Sequence, residues 1–564
     1  MGEGILQNVF ARSEAITSAD DLRQLISQGL SLSRIPIQPL YQALRTSSPQ
    51  EVAAFLPFLS HEQRQVLMDI DLWEKDELKV EEFPFWIEAY AACEDEETRF
   101  EFVEGTQFAS FLKGRLNIQT FDVDEPEYPD HDRYFLTDDG LLLFEYDEDF
   151  SHANEVKALV LALYSRLGVE KAYAHLFKVV SANSTSVFED EYQMAKTRMA
   201  EHGFVDYYDA LGIQQPFPSF EHLDSWIIGK KGVTPELDES AKGEVPPANE
   251  ITVFKKGLDS LTAELDKISD NKRRDYLAFN FTRTINASLS FHRALHEGAV
   301  ATARVGEKTK NFWLLGLDYL KTRVNEDVFS RFDFTDLTKI GNTLFILGTR
   351  PLKKALITTG FEADRVSFLG KYWNEYLENT WIEIFSFRAP ENSKPVAVSS
   401  MKLYENWKTQ GDLLQKLLPL MAQFVKISSQ LQKEGVIQDS FYRNYKVSEL
   451  DFEALLLSVL VNFAVGNKQG LKKLGVTVEE LNLFWKKAFD LVDERDKKQV
   501  TRLKSADDQV LKSILQEFIK NYGLAIDGCE EYLRNLLEEH LGGHSPKILK
   551  DGEYRFIGGP ILLV

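Results

Sequence analysis

The stretch Ser48–Ile70, SPQEVAAFLPFLSHEQRQVLMDI, decides the fold class. It is one short helical unit written twice. Ser48-Pro49-Gln50-Glu51 is a capping box with proline at the first helical position, and twelve residues on Ser60-His61-Glu62-Gln63 is another. In each, the serine oxygen accepts from an otherwise unpaired N–H of the first turn while Glu51 or Gln63 reaches back. The apolar residues then fall in register: Phe55 with Leu67, Leu56 with Met68, Phe58 with Ile70. Helices of about two turns are not stable alone in water, so the pair must pack on itself and on something else.

Working outward, Ser18-Ala19-Asp20-Asp21 announces an earlier helix with Leu22, Leu25 and Ile26 on one face and Gly29 as its stop. Ile35-Pro36-Ile37-Gln38-Pro39 predicts an extended connection, because proline excludes the helical conformation from the residue before it. A looser third unit is expected to begin at Asp71-Leu72-Trp73-Glu74, and Trp86, Ile87 and Tyr90 carry the helical pattern to Ala92. Short capped helices at this spacing predict a stacked, partly superhelical array.

From Thr120 the texture changes. Pro126 and Pro129 break helix, and Tyr134-Phe135-Leu136, Asp138-Asp139-Gly140, then Leu141–Tyr146 read as a β-hairpin whose Asp-Gly supplies the positive-φ turn. This is the one strong β signal. Helices resume over Glu155–Arg166, Phe188–His202 and Asp206–Leu211, the last ending at Gly212. The fold class is therefore mainly α: a multi-helix, partly superhelical array of short capped helices with one small acidic β-hairpin. Gly229–Glu250, with three prolines and three glycines and no apolar periodicity, reads as a linker. The expected organisation is an N-terminal helical array (1–119), the acidic hairpin with helices (120–228), the linker (229–250), a central helical domain (251–387), a C-terminal helical domain (398–540) and a tail (541–564). The C-terminal domain carries a helix running through Pro419, where a kink is expected, a capping box at Thr477-Val478-Glu479-Glu480, and the stripe Val510, Leu511, Ile514, Leu515, Phe518, Ile519. The apolar end Ile557–Val564 is expected to dock as a strand or clasp.

Composition narrows the functions. The two cysteines, Cys93 and Cys529, make no disulfide framework and no CxxC metal site. The first residues, MGEGILQNVF, carry an acid at position 3 and no apolar run, and Leu6 stands where N-myristoylation needs Ser or Thr. The longest apolar run, Ala454–Val465, is 12 residues with Asn462 inside it, whereas a membrane span needs about 20. A cytoplasmic protein is expected, with no membrane span. The chain has 65 Lys+Arg against 88 Asp+Glu, a net charge of −23. Between Glu94 and Asp149 there are 18 acidic residues against Arg99, Lys113, Arg115 and Arg133. That field repels phosphate backbones, which excludes nucleic acid as the expected partner and favours a basic protein surface.

Two constellations are candidates for metal chemistry. His292 and His296 lie four apart in FHRALHE, which on a helix would aim both imidazoles at one metal ion. The zincin patterns fail, since Arg293 and Leu295 stand where glutamate is needed. Asp122, Asp124, Glu125, Glu127, Asp130 and Asp132 form an oxygen-rich loop around His131, but a calcium hand starting at Asp122 would need Gly and Glu where Glu127 and Arg133 stand. Glu145, Asp147, Glu148 and Asp149 sit at the hairpin exit, where converging carboxylates would hold a divalent cation or do acid–base work. Val305-Gly306-Glu307-Lys308-Thr309 lacks the spacing of a phosphate loop, and there is no Gly-x-Ser-x-Gly elbow. No cofactor other than a divalent cation is expected.

Several stretches taken together, FLPFLSHEQRQVLMDIDLWEKDEL, TDDGLLLFEY, MAKTRMAEHGFVDYYDALGI, LLGLDYL and FILGTRPLKKAL, resemble in order an uncharacterised family of long bacterial proteins. That resemblance implies a mostly helical fold and a bacterial cytosolic origin, and no activity. The helix pair at Ser48–Ile70 is also similar to short helices in the cytosolic superhelical domain of magnesium transporters. The transporter's membrane helices have no counterpart here, so transport is not implied. The resulting expectation is a non-enzymatic helical interaction, scaffold or regulatory protein whose acidic region meets a basic partner. Its rival is a metal-dependent enzyme or divalent-cation sensor using the acidic 120–149 region.

Overall fold

Both serine caps close. Ser48 N donates to Glu51 Oε2 at 3.1 Å and Ser60 N to Gln63 Oε1 at 2.9 Å, and each serine Oγ accepts the N–H three residues on. The computed structural model describes residues 18–29, 31–230, 259–325, 327–361, 367–388, 394–433, 451–467, 475–493 and 499–544. The chain divides into two compact units, Met1–Pro216 with Asp224–Ile340 and Phe217–Leu223 with Gly341–Val564. The linker expected over 229–250 lies outside the described residues apart from Gly229 and Lys230, as does the apolar end Ile557–Val564.

In the first unit α1 (Ala19–Ser27), α2 (Ile37–Arg45), α3 (Pro49–Phe55) and α4 (His61–Leu72) follow one another, with the 3-10 turn Leu56–Phe58 after α3. Proline restricts only Ile35 to an extended conformation; α2 starts at Ile37 because Pro39 falls in a first turn that needs no intrahelical donor. No third capped unit starts at Asp71. α4 runs through Leu72, and Trp73–Glu74 (β1) and Glu77–Leu78 (β2) form a two-residue hairpin instead. The physical reason is that the Asp71 carboxylate is buried and taken by donors from other helices, so it caps nothing.

After α5 (Phe83–Ala92), α6 (Glu96–Glu104) and α7 (Thr106–Arg115) comes a three-stranded antiparallel sheet, β3 (Asn117–Thr120), β4 (Tyr134–Leu136) and β5 (Leu142–Glu145), in the order β3-β5-β4. The hairpin forms as its sequence predicts, with Gly140 at φ 71° and Thr137 N and Leu142 O bonded at 3.0 Å across the turn. The third strand has no alternating pattern to announce it; it is held by its register on β5, Asn117 opposite Glu145 and Thr120 opposite Leu142. The chain continues through α8 (Ala153–Leu167), α9 (Val169–Ser181), α10 (Ser184–Glu201), α11 (Tyr207–Gln214), α12 (Phe220–Lys230), α13 (Asp259–Leu265), α14 (Asn271–Phe291), α15 (Ala299–Lys321) and α16 (Phe334–Thr359). α10 packs on α4 and α7, and α11 on α14. Gly212 lies inside α11 and does not end it. Trp313 on α15 packs against Phe281 at 4.9 Å and Phe334 at 4.8 Å, and its indole N–H finds Thr338 Oγ1 at 2.7 Å. A buried indole is stable only with such a partner.

The second unit takes in α16 from Gly341 onward, α17 (Lys371–Trp381), α18 (Met401–Lys433), α19 (Phe452–Ala464), α20 (Val478–Ala488), α21 (Gln509–Asn521) and α22 (Cys529–Leu541). Between them lie two short hairpins, β6 (Ser386–Phe387) with β7 (Val396–Ala397) and β8 (Phe489–Asp493) with β9 (Gln499–Leu503). α18 is one helix on both sides of Pro419. The longest apolar run of the chain is α19, buried along its whole length, so its hydrophobicity is that of a core helix. The Thr477 capping box also forms.

Candidate functional site

A cleft of about 380 Å³ opens in the first unit where the end of α4, the β1–β2 hairpin, the start of α11 and the end of α14 come together. Its floor is built from two aspartates two apart on α4. Asp71 has no accessible side-chain surface. Tyr41 Oη donates to its Oδ1 at 2.5 Å, Trp86 Nε1 to its Oδ2 at 2.9 Å, and Arg45 Nη1 stands 3.5 Å from Oδ2. Burial raises this carboxyl's pKa, against the opposing pull of Arg45. The Tyr41 phenol is raised too, by burial and then by Asp71, so it stays a donor.

Asp69 is buried as well. Arg198 of α10 grips it with Nε at 2.8 Å and Nη2 at 2.9 Å, and Gln107 Nε2 of α7 donates at 2.6 Å. The same guanidinium serves Glu191 Oε1 at 2.5 Å, while Glu191 Oε2 has no hydrogen-bond partner among the described residues. Burial pushes the Asp69 carboxyl up to about 6 although Arg198 pulls it down.

The mouth of the cleft sets three cations, Lys75, Lys79 and Arg293, among the acids Glu74, Glu81 and Glu82, and its backbone is strained. β1 and β2 are joined by Lys75-Asp76, and Lys75 takes φ 61°. α14 ends in a Schellman-type turn, with Arg293 N bonded to Ser290 O at 3.1 Å and Ala294 N to Leu289 O at 2.9 Å. Arg293 fills the left-handed position at φ 53°, where glycine is usual. Glu74 lies between Lys79 Nζ at 3.2 Å and Arg293 Nη1 at 2.9 Å, and the Lys79 ammonium above all holds its carboxyl below the usual range. The Lys75 ammonium sits 5.3 Å from the centre of the Tyr207 ring, a cation–π distance. Phe204, Phe291 and Leu295 add apolar wall.

The expected histidine pair does not share a helix face. α14 stops at Phe291, and His292 and His296 fall on either side of the Arg293 turn. His296 lines the cleft, its ring 6.2 Å from that of Tyr41; His292 is not among the lining residues. Arg293 breaks the expected helix by taking a conformation that helical periodicity does not reveal.

The acidic residues of 120–149 are distributed over the two ends of the small sheet. Asp122 and Asp124 follow Thr120 at the Leu142 end, and Asp122 Oδ1 accepts from Asp124 N at 2.9 Å and Glu125 N at 3.4 Å. Asp147 and Asp149 lie beyond Glu145 at the other end, where Arg115 meets them at 3.7 and 2.7 Å. Glu145 is held by His131 at 3.1 Å and by Asn117 Nδ2 at 2.9 Å. Asp122, Asp124, Glu125, Glu127 and Glu148 make no ion pair among the described residues. Among those residues no three of His, Cys, Asp and Glu form a group that could hold a metal ion. Val123, Tyr128 and Leu141 are exposed on the same lobe, and the Tyr128 ring lies tilted against Phe121 at 5.1 Å and Tyr134 at 5.9 Å.

Sequence reasoning missed the cleft. A two-residue turn of Lys-Asp carries no glycine signal, and contacts such as Tyr41 with Asp71 join helices 30 residues apart.

The fold is that of a mainly α, multi-helix protein with a few small antiparallel sheets. The chain belongs to a family of unknown function (DUF6178), matched over residues 10–548. No curated protein matches it, and no solved structure does. No helix among the described residues is long and apolar enough to cross a membrane.

Proposed function

We propose that this protein is a non-enzymatic interaction protein whose sheet lobe, residues 117–149, receives a basic segment of a protein partner. The observation that carries this reading is an exposed apolar patch inside a field of unpaired carboxylates. Val123 is 61% and Leu141 38% exposed at the Leu142 end of the sheet, and Tyr128, 54% exposed, lies against Phe121 and Tyr134. Val123 lies 3.7 Å from the position a side chain on Gly140 would take. Around them Asp122, Asp124, Glu125 and Glu127 are neutralised by no lysine or arginine among the described residues. Lysine and arginine heads on the partner would meet these acids while one apolar side chain covers the patch, which is how charge supplies steering and a small apolar contact supplies residence. The acidic field opposes a phosphate backbone as occupant.

The test is fluorescence anisotropy of the full chain with a labelled Arg/Lys-rich peptide bearing one tryptophan, beside an acidic peptide of matched length. Saturable binding of the basic peptide that weakens as salt rises, and that falls about tenfold on combined Asp124→Asn, Glu125→Gln and Glu127→Gln substitution, is the expected result. Equal affinity of the substituted chain, or equal binding of the acidic peptide, would overturn the reading.

A further inference from the structure

We propose that the cleft between α4, α11 and the end of α14 binds a small organic anion. Its carboxylate or phosphate head would sit between Lys75 and Arg293, and its apolar body along Phe204, Tyr207 and Leu295. This inference uses none of the residues of the acidic lobe. The volume, about 380 Å³, falls within the range of roughly 300–1,000 Å³ usual for small-molecule pockets.

The backbone is the first argument. Among the described residues only three non-glycine positions have positive φ, and two of them, Lys75 and Arg293, flank this one cleft. A left-handed conformation costs a side-chain-bearing residue stability, and glycine would fill both positions without strain. Such residues persist where a site needs them. Both are cations, and they come from segments far apart in sequence.

Charge decides the sign of the ligand. In a chain of net charge −23, Lys75, Lys79 and Arg293 gather around Glu74, and Lys79 also meets Glu77 at 3.7 Å. Lys79 is taken by Glu74 and Glu77, whereas Lys75 has no carboxylate within ion-pair distance among the described residues and rests over Tyr207. Only one nitrogen of the Arg293 fork is bound to Glu74, and the side chain stays 57% exposed. The acids of the floor offer nothing to an organic cation, since both oxygens of Asp69 and of Asp71 already accept hydrogen bonds. At the rim, Glu82 pairs with Arg45 and Asp206 with Lys196, which leaves Glu81 as the lining carboxylate without an ion pair among the described residues. A guanidinium fork beside an ammonium, backed by aromatic and aliphatic wall, is the chemistry that takes a planar anionic head on an apolar body.

The test is isothermal titration calorimetry of the full chain with phenylphosphate and phenylacetate, and with phenethylamine as the cation of similar shape. At least one anion should bind saturably at one site per chain and the amine should not. Lys75→Gly and Arg293→Gly should each weaken that binding about tenfold, the loss expected for one charge-assisted contact. Each variant should melt no lower than the corresponding alanine variant, which separates lost binding from lost folding. Failure of both anions to bind, binding of the amine as tight as that of the anions, or unchanged affinity in both glycine variants would overturn the inference.

Discussion

Arg293 Nη1 and Glu74 Oε1 meet at 2.9 Å across the mouth of the cleft, and the ion pair joins two turns that were each built with a charged residue in a left-handed position. Glu74 is the residue before Lys75; Arg293 is itself the left-handed residue that ends α14. The pair is half-exposed and adds little stability by itself. Its value lies in fixing where the two cations stand.

The strain at these turns is measurable without any ligand. Alanine and glycine both remove the side chain, so comparing them at one position isolates the backbone. At Lys75 and at Arg293, glycine is expected to give the more stable protein by about 1 kcal/mol in urea denaturation, the reverse of the order in a helix. Alanine equal to or better than glycine at both positions would show that neither turn is strained.

The two capping boxes look alike in sequence but do different work. Glu51 closes its box at the surface. Gln63 also donates through Nε2 to Leu32 O at 3.0 Å and Ile35 O at 2.7 Å, tying α4 to the turn before α2 from a buried position. Gln63→Ala should therefore cost about 2–3 kcal/mol, leaving the Ile35 carbonyl without this donor and the Leu32 carbonyl with only its bond from Ile35 N, while Glu51→Ala costs about 0.5–1 kcal/mol. Equal losses in thermal or urea melts would mean the carbonyls find water.

This contrast shows what the sequence could and could not tell. Caps are local: Ser48, Ser60 and Thr477 declare their helices within four residues, and Asp-Gly at 139–140 declares its turn. The helical class and the hairpin were legible for that reason. β3 was not, because its four residues hold their place by pairing with β5, some 25 residues later in the chain. Helical periodicity ran past Phe291 through FHRALHE, since nothing in an Arg side chain marks a left-handed φ, and the histidine pair was misaligned in consequence. The cleft is made of contacts such as Asp69 with Arg198, 129 residues apart, which no local pattern encodes. Asp71 looked like the cap of a third repeat because capping residues and buried acceptors are the same residue types.

Glycines that look equivalent in helices should respond in opposite directions. A β-carbon on Gly316 of α15 would stand 2.7 Å from the backbone oxygen of Leu337, an atom that cannot rotate away. Gly316→Ala should destabilise by about 1–3 kcal/mol, as overpacking does. Gly212 of α11 has open space around it and an ordinary helical conformation. Gly212→Ala should stabilise by about 0.5–1 kcal/mol. The two melting shifts can be read in one set of thermal scans, and a stabilising Gly316→Ala would show that α15 and the start of α16 are less closely packed.

The buried Asp69 makes a signed prediction about pH. In the unfolded chain its carboxyl titrates near the ordinary 3.8, whereas burial raises it to about 6 in the folded protein. Between those values the folded state holds a proton that the unfolded state has released, so stability must fall as pH rises. The contribution is fully present below about 3.8 and is lost as pH rises through about 6. Asp336 and Asp451, raised to about 7 and about 6, slope the same way, so the wild-type curve alone cannot assign the effect. Asp69→Asn keeps an acceptor for Arg198 and Gln107 and removes the titration. Urea denaturation across a pH series should therefore give a wild-type advantage over Asp69→Asn that declines between pH about 4 and about 6 and is flat above about 7. A difference that rises with pH would mean that the Arg198 grip outweighs burial and that Asp69 is ionised throughout.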